Sequence, residues 1–473
     1  MRTKSVPLYV DLDGTFIKTD LLYESLISAF KNYPLKCLLI PVWLIKGIPH
    51  LKKRLAELST VDYSLLPKNE EFFSYLEAEK SKGREIVLAT ASNRLHAEGI
   101  LNSYKIFNHS LHSCDTVNLK SKKKLEAILQ EAKVFDYAGN SKDDLVLFEE
   151  CRKSILVDPT RYYSKNKTKN INITFKSNNS EILKLWIKQL RVHQWIKNIL
   201  VFVPLLVSGL FIDYKSFTSA LLAFICFSTI ASSTYILNDL LDLNSDRNHK
   251  SKRFRPIAAG LINIPSAIFI MASLLAVSLT LSYILSFNFL LSILFYLAAT
   301  VSYSFKIKKY FGMDVVLLAV LYTSRIISGA VAISVTPTFW LIGFSIFIFL
   351  SLALLKRSSE AIDLRENNKK SASGRDYNAT DYEILKSIGT ASSMASIMMF
   401  CLYINSNTTL STIGEPSILW LVIPGLSYWL IRMWIKTHRG EMHDDPIVFT
   451  LKDKGSLVTI AFCGFMAAIN QVI

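Results

Sequence analysis

The feature that most constrains the fold is a series of nine long apolar runs that begins near residue 195. Each run has the length that a helix needs to cross the hydrocarbon core of a bilayer. Hydrophobic residues make up 51% of the 473 residues, and the mean hydropathy is +0.29. This composition predicts a polytopic all-α membrane domain rather than a large soluble core. The runs lie at about 195–212, 216–238, 263–284, 287–304, 313–334, 337–355, 386–405, 416–435 and 455–472.

Basic residues are distributed unevenly between the loops that join these runs. The loops after the second, fourth, sixth and eighth runs carry the basic clusters 247–255, 306–309, 356–375 and 436–439. The other loops contain almost no Lys or Arg, so the positive-inside rule places the basic loops and the N-terminus in the cytoplasm. The formal net charge of +16 is then explained by orientation and by contact with anionic lipid or phosphorylated substrates. We expect no nucleic-acid partner.

The first 160 residues have the pattern of a soluble α/β domain. Four short apolar segments, at Val6–Leu12, Glu85–Ala89, Phe135–Ala138 and Ser154–Val157, alternate with longer helical stretches. This alternation predicts a parallel sheet with helical crossovers, of the Rossmann-like kind. We therefore divide the chain into an α/β domain (1–160), a Lys/Asn/Ser-rich linker (161–182) and a membrane domain (183–473).

A helical insertion is expected between Phe16 and Lys82, as a cap on the sheet. Within it, Leu35–Pro49 is apolar, too short to span a bilayer and interrupted by prolines. Two interpretations remain open for this segment. It is either a helix buried in the cap or a helix that rests on the membrane surface.

Asp11-Leu12-Asp13-Gly14-Thr15 directly follows the first apolar segment. A carboxylate at the end of a strand can attack phosphorus, and a second one two residues later can act as general acid and base. The motif resembles the first motif of the haloacid dehalogenase-like hydrolases. The resemblance implies that Asp11 is the nucleophile and Asp13 the acid/base, and that Thr90 and Lys124 bind the phosphate, with Lys120 as a rival lysine.

The fourth motif of that family is matched by Ala138-Gly139-Asn140-Ser141-Lys142-Asp143-Asp144. Asn140 stands where the family has an acidic metal ligand. An amide oxygen can also bind Mg²⁺. The resemblance therefore implies a Mg²⁺ site formed by Asp11, Asp13, Asn140 and Asp144. The alternative is a degenerate phosphatase domain with a structural or regulatory role.

A second acidic motif, Asn238-Asp239-Leu240-Leu241-Asp242-Leu243-Asn244-Ser245-Asp246, ends the second apolar run. If the motif is one helix, its three aspartates share one face. Carboxylates packed so closely persist where a cation lies between them. Because the basic run Lys252–Arg255 follows, the sequence predicts a Mg²⁺-diphosphate site at the membrane.

This motif in a multispan chain resembles the UbiA family of intramembrane prenyltransferases. The resemblance implies Mg²⁺ ligands at Asp239, Asp242 and Asp246, with Asn238 assisting. The second DxxxD motif of the family is lacking, and Glu360 and Asp363 stand in the corresponding loop. That departure weakens the expectation of a prenyl diphosphate substrate.

Several other segments resemble the decaprenyl-phosphate phosphoribosyltransferases within this family. They include Arg191–Asn198, Lys252–Gly260, Lys356–Glu360 and Arg439–Pro446. The resemblance implies phosphoribosyl pyrophosphate as donor and a polyprenyl phosphate as acceptor. Residues expected to bind these substrates are Lys197, Asn238, Lys252, Arg253, Arg255, Arg325, Lys356, Arg357, Glu360 and Asp363. His443, Asp444 and Asp445 are interpreted as solvated loop positions.

The two resemblances together predict a bifunctional enzyme of the bacterial inner membrane, with both active sites cytoplasmic. Phosphoribosyl transfer would leave a lipid-linked ribose with a 5-phosphate, which the N-terminal phosphatase would remove. The expected product is polyprenyl-phosphoryl ribose, and a homo-oligomer is possible on the sequence. Two alternatives remain. One is a prenyltransferase that acts on an aromatic acceptor, and the other is a transferase with an inactive, regulatory phosphatase-like domain.

Overall fold

The chain forms two units, each with its own set of backbone contacts. The computed structural model describes residues 5–114, 117–159, 171–176, 181–366, 376–406, 416–442 and 445–470. The first unit comprises Met1–Leu190 and Tyr235–Met271, and the second comprises Arg191–Thr234 and Ala272–Ile473. The first therefore contains the acidic motif at 238–246 as well as the α/β domain.

The first unit is built on a six-stranded sheet in which every pair of neighbouring strands is parallel. The strand order is β3-β2-β1-β4-β5-β6, so β1 is central, and Val10 pairs with Leu88 of β2 and with Ala138 of β4. A change in the direction of strand order beside β1 creates a crevice at the carboxyl ends of the strands. The strands are β1 (Leu8–Val10), β2 (Ile86–Asn93), β3 (His109–Ser113), β4 (Asp136–Gly139), β5 (Lys153–Val157) and β6 (Ile171–Phe175).

Two of these strands were missed by the sequence prediction, and the physical reason is their polarity. β3 has the sequence HSLHS, and β6 alternates half-buried and exposed residues along INITF at the edge of the sheet. Neither segment is a continuous apolar run. The predicted linker at 161–182 is therefore wrong where β6 pairs with β5, and most of its remaining residues lie outside the described ranges.

Helices cover both faces of the sheet and form the expected cap. Side chains such as Phe16, Phe72 and Leu88 build the core on one face, and Phe135, Tyr137 and Leu147 build that on the other. Asp20 caps the first cap helix by accepting a hydrogen bond from Leu22 N at 2.8 Å. The helices are α1 (Leu21–Asn32), α2 (Pro34–Cys37), α3 (Ile40–Ile45), α4 (Ile48–Leu58), α5 (Glu70–Ser81), α6 (Arg94–Ser103), α7 (Lys122–Glu131), α8 (Leu145–Glu150) and α9 (Ile182–Gln189).

The remaining helices include those that carry the apolar runs. They are α10 (Val203–Val207), α11 (Tyr214–Leu241), α12 (Leu243–Asn248), α13 (Ile264–Leu285), α14 (Phe287–Phe305), α15 (Met313–Ala332), α16 (Phe339–Glu366), α17 (Tyr382–Ile404), α18 (Val422–His438), α19 (Pro446–Lys452) and α20 (Lys454–Ile469). In the second unit, Phe227, Phe289 and Tyr296 pack in one core cluster, and Phe349, Trp429 and Trp434 pack in another.

The described residues contain seven helices that are long and apolar enough to cross a membrane. They correspond to the second through eighth of the nine predicted runs. The first predicted run, 195–212, is not one straight helix, because it is divided into a 3₁₀ helix (Val192–Phe202), α10 and a second 3₁₀ helix (Leu210–Ile212). Val192–Val207 also forms, with the preceding Ile182–Gln189, a pair bent by 47°. The ninth forms the shorter apolar helix α20. The chain is thus a multispan membrane protein, and its described residues supply seven candidate spans, or eight if the bent pair is one span.

Candidate functional site

Asp11 and Asp13 lie at the carboxyl end of β1, at the crevice of the parallel sheet. Asp11 Oδ1 accepts a hydrogen bond from Lys124 Nζ at 2.7 Å, and Asp11 Oδ2 accepts one from Thr15 Oγ1 at 3.4 Å. Asp13 accepts hydrogen bonds from Leu21 N at 2.9 Å and from Ser92 Oγ at 2.7 Å. Each carboxylate is therefore fixed by its own donors, and the two have different surroundings.

Lys124 and Lys120, the two candidates for the phosphate-binding lysine, have different positions. Lys124 is buried on α7 beside Asp11, and its Nζ also donates to Tyr137 Oη at 3.2 Å. Lys120 is exposed and pairs with Asp143 at 2.9 Å. Lys124 is thus the lysine that contacts the proposed nucleophile.

The hydroxyl that contacts Asp13 is that of Ser92, a residue that the sequence analysis did not single out. Thr90, the residue matched to the family's phosphate-binding hydroxyl, is fully buried, and its Oγ1 accepts a hydrogen bond from Ser92 N at 3.0 Å. Ser92 lines the cavity next to Asp13. Both hydroxyls lie on β2 two residues apart, and only the local backbone decides which of them faces the cavity.

Asn140 and Asp144 follow β4 but have different contacts. The Asp144 carboxylate accepts hydrogen bonds from Tyr137 Oη, Asn140 N, Ser141 N and Ser141 Oγ, at 2.7–3.1 Å. Asp144 thereby holds the loop that carries Asn140. The Asn140 side chain lies so close to Gly14 that a Cβ there would be 2.2 Å from Nδ2, and Gly14 has a φ of +77°. Gly14 is therefore required for Asn140 to approach the end of β1.

These residues line a cavity of about 550 Å³ in the first unit. The cap contributes Lys52, whose Nζ donates to Ala91 O at 2.7 Å and to Asn118 Oδ1 at 3.1 Å. The wall also includes Asn263, Ile264 and Pro265. These three residues lie at the start of α13, one of the seven helices long enough to cross a membrane. This cavity is therefore bounded in part by the end of a membrane helix.

Burial changes the acidity of the groups in this cavity. It raises the pKa of Asp11 to about 6, against the opposing effect of Lys124, and raises the pKa of Asp13 to about 7. Burial lowers the pKa of Lys124, but the neighbouring Asp11 and Asp144 outweigh it, so that the net shift is upward. Asp13 thus has the acidity that suits a general acid and base near neutral pH, and Lys124 stays cationic.

The acidic motif at 238–246 forms two helices rather than one. α11 ends at Leu241 and α12 begins at Leu243, so the prediction that Asp239, Asp242 and Asp246 share one continuous helical face is wrong at Asp242. Asp239 and Asp246 both accept hydrogen bonds from Arg255 Nη1, at 3.0 and 2.6 Å. Asp242 lies 3.3 Å from Lys31 Nζ of α1. Two of the three aspartates therefore converge on one cationic nitrogen, and the third faces the cap.

The basic residues beside this motif also have distinct contacts. Arg247 is buried and makes a two-point ion pair with Glu24 of α1, at 2.6 and 3.2 Å. Arg253 lies over the ring of Phe254 at 4.8 Å, and Lys252 is exposed in the same short 3₁₀ turn. Arg255 contacts two of the motif's carboxylates, while Arg247 connects the motif to the cap.

In the second unit, Lys197 and Lys356 meet at one carboxylate, that of Asp445. Their Nζ atoms lie 2.8 and 3.4 Å from Asp445 Oδ2. Only 12% of the Asp445 side chain is exposed, so the prediction that it is a solvated loop position is wrong; His443 and Asp444 lie outside the described residues. The sequence signal was present, because Asp445 precedes Pro446 at the start of α19 and caps it through Ile447 N.

An apolar cavity of about 310 Å³ adjoins this lysine pair. Lys197 lines it together with apolar side chains that include Phe344, Phe349 and Trp429. Because the two lysines carry two positive charges against the one negative charge of Asp445, the polar end of the cavity is cationic. This arrangement suits an amphiphile with an anionic head.

Two further predicted phosphate-binding cations are held by protein groups. Arg357 is 1% exposed and donates to Asp314, Glu360 and Tyr303. Arg325, which is also buried, donates to Asn198 Oδ1 at 3.0 Å, to Leu321 O and to Tyr296 Oη at 2.9 Å. Asp363 lies one turn beyond Glu360 on α16. Arg357 therefore belongs to a buried ionic network, and Arg325 to a network of neutral acceptors.

Comparison with known proteins assigns the membrane part of the chain. The model of the UbiA prenyltransferase family matches residues 201–472. The chain belongs to the UbiA prenyltransferase family. Its N-terminal α/β unit carries DxDGT at the end of the central strand, the motif that resembles the first motif of the haloacid dehalogenase-like hydrolases.

Relatives of this UbiA chain include one that matches nearly its whole length. An uncharacterised protein of Sinorhizobium fredii is 38% identical over 470 residues, which cover 97% of this chain and 91% of that protein. A decaprenyl-phosphate phosphoribosyltransferase of Mycolicibacterium smegmatis is 29% identical over 296 residues, covering 61% and 92%. A UbiA homologue of Archaeoglobus fulgidus bound to GPP and Mg²⁺ is similar in structure, with a TM-score of 0.46, 17% identity and coverage of 60% and 99%.

The oxygen ligands of both acidic sites are suited to Mg²⁺. Within the described ranges, no three His, Cys, Asp or Glu side chains are close enough to hold a metal ion by themselves. Mg²⁺ is usually held by one or two carboxylates, with water and substrate phosphates completing the shell. Asp239 and Asp246, which reach a single nitrogen of Arg255, fit that requirement. So do Asp11 and Asp13, with the Asn140 amide nearby.

Proposed function

We propose that this protein catalyses two consecutive steps at a bacterial inner membrane. The UbiA half transfers 5-phosphoribose from phosphoribosyl pyrophosphate to a polyprenyl phosphate, and the dehalogenase-like half removes the 5-phosphate. The product is polyprenyl-phosphoryl ribose. The observation that carries the proposal is the wall of the phosphatase cavity, where residues of membrane helix α13 line the same cavity as Asp11 and Asp13. A cavity bounded in this way suits a phosphate ester carried by a lipid.

In the first step, an oxygen of the lipid phosphate attacks the anomeric carbon of the ribose, and the bond from that carbon to pyrophosphate breaks. The attacking phosphate is already anionic, so the step needs no strong general base. Asp239 and Asp246 would hold Mg²⁺, which supplies charge neutralisation of the departing pyrophosphate when bound. Arg255, which bonds both carboxylates, is placed to donate hydrogen bonds to phosphate oxygens nearby.

The acceptor is assigned to the cationic end of the apolar cavity in the second unit. Lys197 and Lys356 would bind the lipid phosphate, and the apolar lining would hold the first isoprene units. Asp445 keeps the two lysines together against their mutual repulsion. This support comes from charge and shape within that unit alone.

In the second step, an Asp11 carboxylate oxygen attacks the 5-phosphate phosphorus and the bond to the ribose oxygen breaks. Asp13 gives its proton to that oxygen, and then takes a proton from the water that hydrolyses the aspartyl-phosphate. Lys124 and Ser92, which bond Asp11 and Asp13 respectively, hold the two carboxyl groups in position. Lys52 adds a cation from the cap.

The test is a double-label assay on purified full-length protein in lipid vesicles. Phosphoribosyl pyrophosphate labelled with ¹⁴C in the ribose and ³²P at the 5-phosphate is incubated with a polyprenyl phosphate and Mg²⁺. We expect ¹⁴C in the lipid fraction and ³²P as inorganic phosphate. The Asp11→Asn variant should retain both labels in the lipid, and the Asp239→Asn variant should label lipid only at a higher Mg²⁺ concentration.

Three outcomes would contradict the proposal in different ways. Lipid without ¹⁴C in the natural chain would rule out the phosphoribosyl donor and favour a prenyltransferase acting on an aromatic acceptor. Lipid with both labels in the natural chain would rule out an active phosphatase and favour a regulatory domain. Identical products from the natural chain and the Asp11→Asn variant would remove Asp11 from the reaction.

A further inference from the structure

The cap of the α/β domain exposes a large apolar surface, here called the cap apolar face. It is formed by Leu35, Leu38, Leu39, Leu44 and Ile45, which lie on the short helices α2 and α3 and at the junction between them. Leu35, Leu38 and Ile45 are 80%, 74% and 86% exposed. Of the two interpretations that the sequence left open for this segment, burial inside the cap is therefore wrong. An apolar surface of this kind marks an interaction site.

The position of the cap apolar face follows from the contacts of the helix that precedes it. Lys31, near the end of α1, donates from its Nζ to Leu241 O at 2.7 Å, and Leu241 is the last residue of α11. With 28 residues, α11 is about 42 Å long, close to the roughly 40–45 Å of a bilayer with its headgroups. Leu241 thus lies near headgroup level. α2 begins at Pro34, three residues after Lys31, at most about 11 Å along the chain.

The charge around this surface also suits a bilayer with anionic lipid. Between Glu24 and Glu57 the chain has no acidic residue, and it has six basic ones. Lys36 and Lys46 lie on and beside α2 and α3, and both are exposed. Lysines that flank an apolar face keep their ammonium groups among lipid phosphates while the apolar side chains enter the acyl region.

We propose that the cap apolar face is inserted in the cytoplasmic headgroup and acyl boundary of the membrane. The prolines at 34, 41 and 49 keep the segment in short helices that lie along the surface and cannot span it. The next helix, α4, begins at Ile48, which lines the phosphatase cavity, and carries Lys52. Lipid contact would therefore fix the cap, and with it one side of that cavity, at the membrane surface. This anchoring is independent of which phosphate ester the site accepts.

Spin labels test the proposal on the full-length chain in vesicles of phosphatidylcholine and phosphatidylglycerol. Single cysteines replace Leu38 or Ile45 in a chain whose six natural cysteines have been removed and whose gel-filtration profile is unchanged. Val134→Cys is the matched control, because Val134 is also an apolar residue of the α/β domain and is 54% exposed. Labels at 38 and 45 should be accessible to oxygen and protected from a water-soluble nickel complex, at a depth of about 5–10 Å. The label at 134 should be accessible to nickel.

Two results would overturn the proposal. Nickel accessibility at 38 and 45 equal to that at 134 would place the surface in water. Protection from both oxygen and nickel would mean that protein covers it, such as a second copy of this chain.

A second measurement requires no removal of cysteines. Trp43 is half-buried on α3, so the difference in emission between the natural chain and the Trp43→Phe variant reports on this segment. We expect that difference signal to fall by about half or more in vesicles with lipid brominated near the headgroup end of the acyl chain, as for an interfacial residue. An unchanged difference signal would contradict lipid contact.

Discussion

The first unit holds two acidic clusters whose carboxylates are stabilised in different ways. At the end of β1, Asp11 and Asp13 each have separate donors, which are a lysine, hydroxyls and a backbone amide. At the end of α11, Asp239 and Asp246 share one arginine nitrogen, and Asp242 is turned to Lys31. The strand-end cluster is thus fixed residue by residue, whereas the helix-end cluster is held by a shared cation.

This difference indicates how each cluster can act on a phosphate group. Fixed carboxylates can act on phosphorus without leaving their donors, as a nucleophile and an acid/base must. Carboxylates that share one cation can exchange it for another cation with little movement. We therefore expect a single substitution in the first cluster to remove a chemical step. A substitution in the second cluster should weaken metal and substrate binding, most strongly at the aspartates that share the arginine nitrogen.

The largest effect is expected at Asp13. Asp13→Asn keeps the shape but cannot transfer a proton, so phosphate release should fall by about 10²–10⁴-fold while ¹⁴C transfer to lipid is retained. Release of ³²P from the double-labelled donor measures it. Glu126→Gln is the control, because Glu126 is an exposed carboxylate on α7 outside the residues that line the cavity, and its loss should leave the rate unchanged. Equal rates for the Asp13→Asn variant and the natural chain would remove Asp13 from the chemistry.

The next largest effect concerns the ion pair that joins the two clusters. Arg247 and Glu24 are both buried, so Arg247→Met leaves an unpaired buried carboxylate and should lower the opening free energy of α1 and α12 by about 3–5 kcal/mol. Hydrogen exchange resolved by mass spectrometry measures this. The exposed pair Arg54–Glu57 gives the control, since Arg54→Met should cost no more than about 1 kcal/mol. Similar exchange in the two variants would show that the pair does not connect these helices.

A smaller effect separates the aspartates of the second cluster from one another. Asp239→Asn should raise the Mg²⁺ concentration needed for half-maximal transfer by about 10–100-fold, because Asp239 converges with Asp246. Asp242→Asn should raise it less, because Asp242 faces Lys31. A Mg²⁺ titration of ¹⁴C transfer compares the two variants directly. A larger effect at Asp242 than at Asp239 would reverse the assignment of these two aspartates.

The smallest effect concerns His96, which lines the cavity of the first cluster, and tests whether its imidazole is neutral in the folded protein. Burial lowers the pKa of His96 from 6.5 to about 4, and its ring nitrogens bond Ser25 at 2.8 Å and Tyr63 at 2.9 Å. Below pH 6.5 the His96 imidazole binds a proton in the unfolded chain, whereas in the folded chain it does so only near pH 4. The free energy of unfolding therefore falls as the pH drops from 6.5 towards 4, by about 2 kcal/mol at pH 5. Hydrogen exchange of α6 at pH 7 and pH 5 measures it. His96→Gln, which does not titrate, should lose that part of the pH dependence; an unaltered dependence would assign it to other groups.

Residues that follow strong local patterns were located by the sequence. The apolar run Val6–Leu12 followed by DxDGT placed Asp11 and Asp13 at the end of a parallel strand, and β1 has that position. The seven long spans were also predicted, because about 20 apolar residues suffice to identify a membrane helix. By contrast, β3 and β6 were missed, since short polar strands are specified by their neighbours in the sheet rather than by their own composition.

What the sequence determined by itself is the class of the molecule, which is a capped α/β domain joined to a polytopic UbiA domain. The tertiary structure decided which side chains meet. It put Lys124 rather than Lys120 on Asp11, Ser92 on Asp13, and Asp445 between two lysines. It also exposed the cap apolar face. Periodicity and composition are local properties of the chain, whereas these contacts join residues far apart in sequence and depend on where each turn directs the backbone.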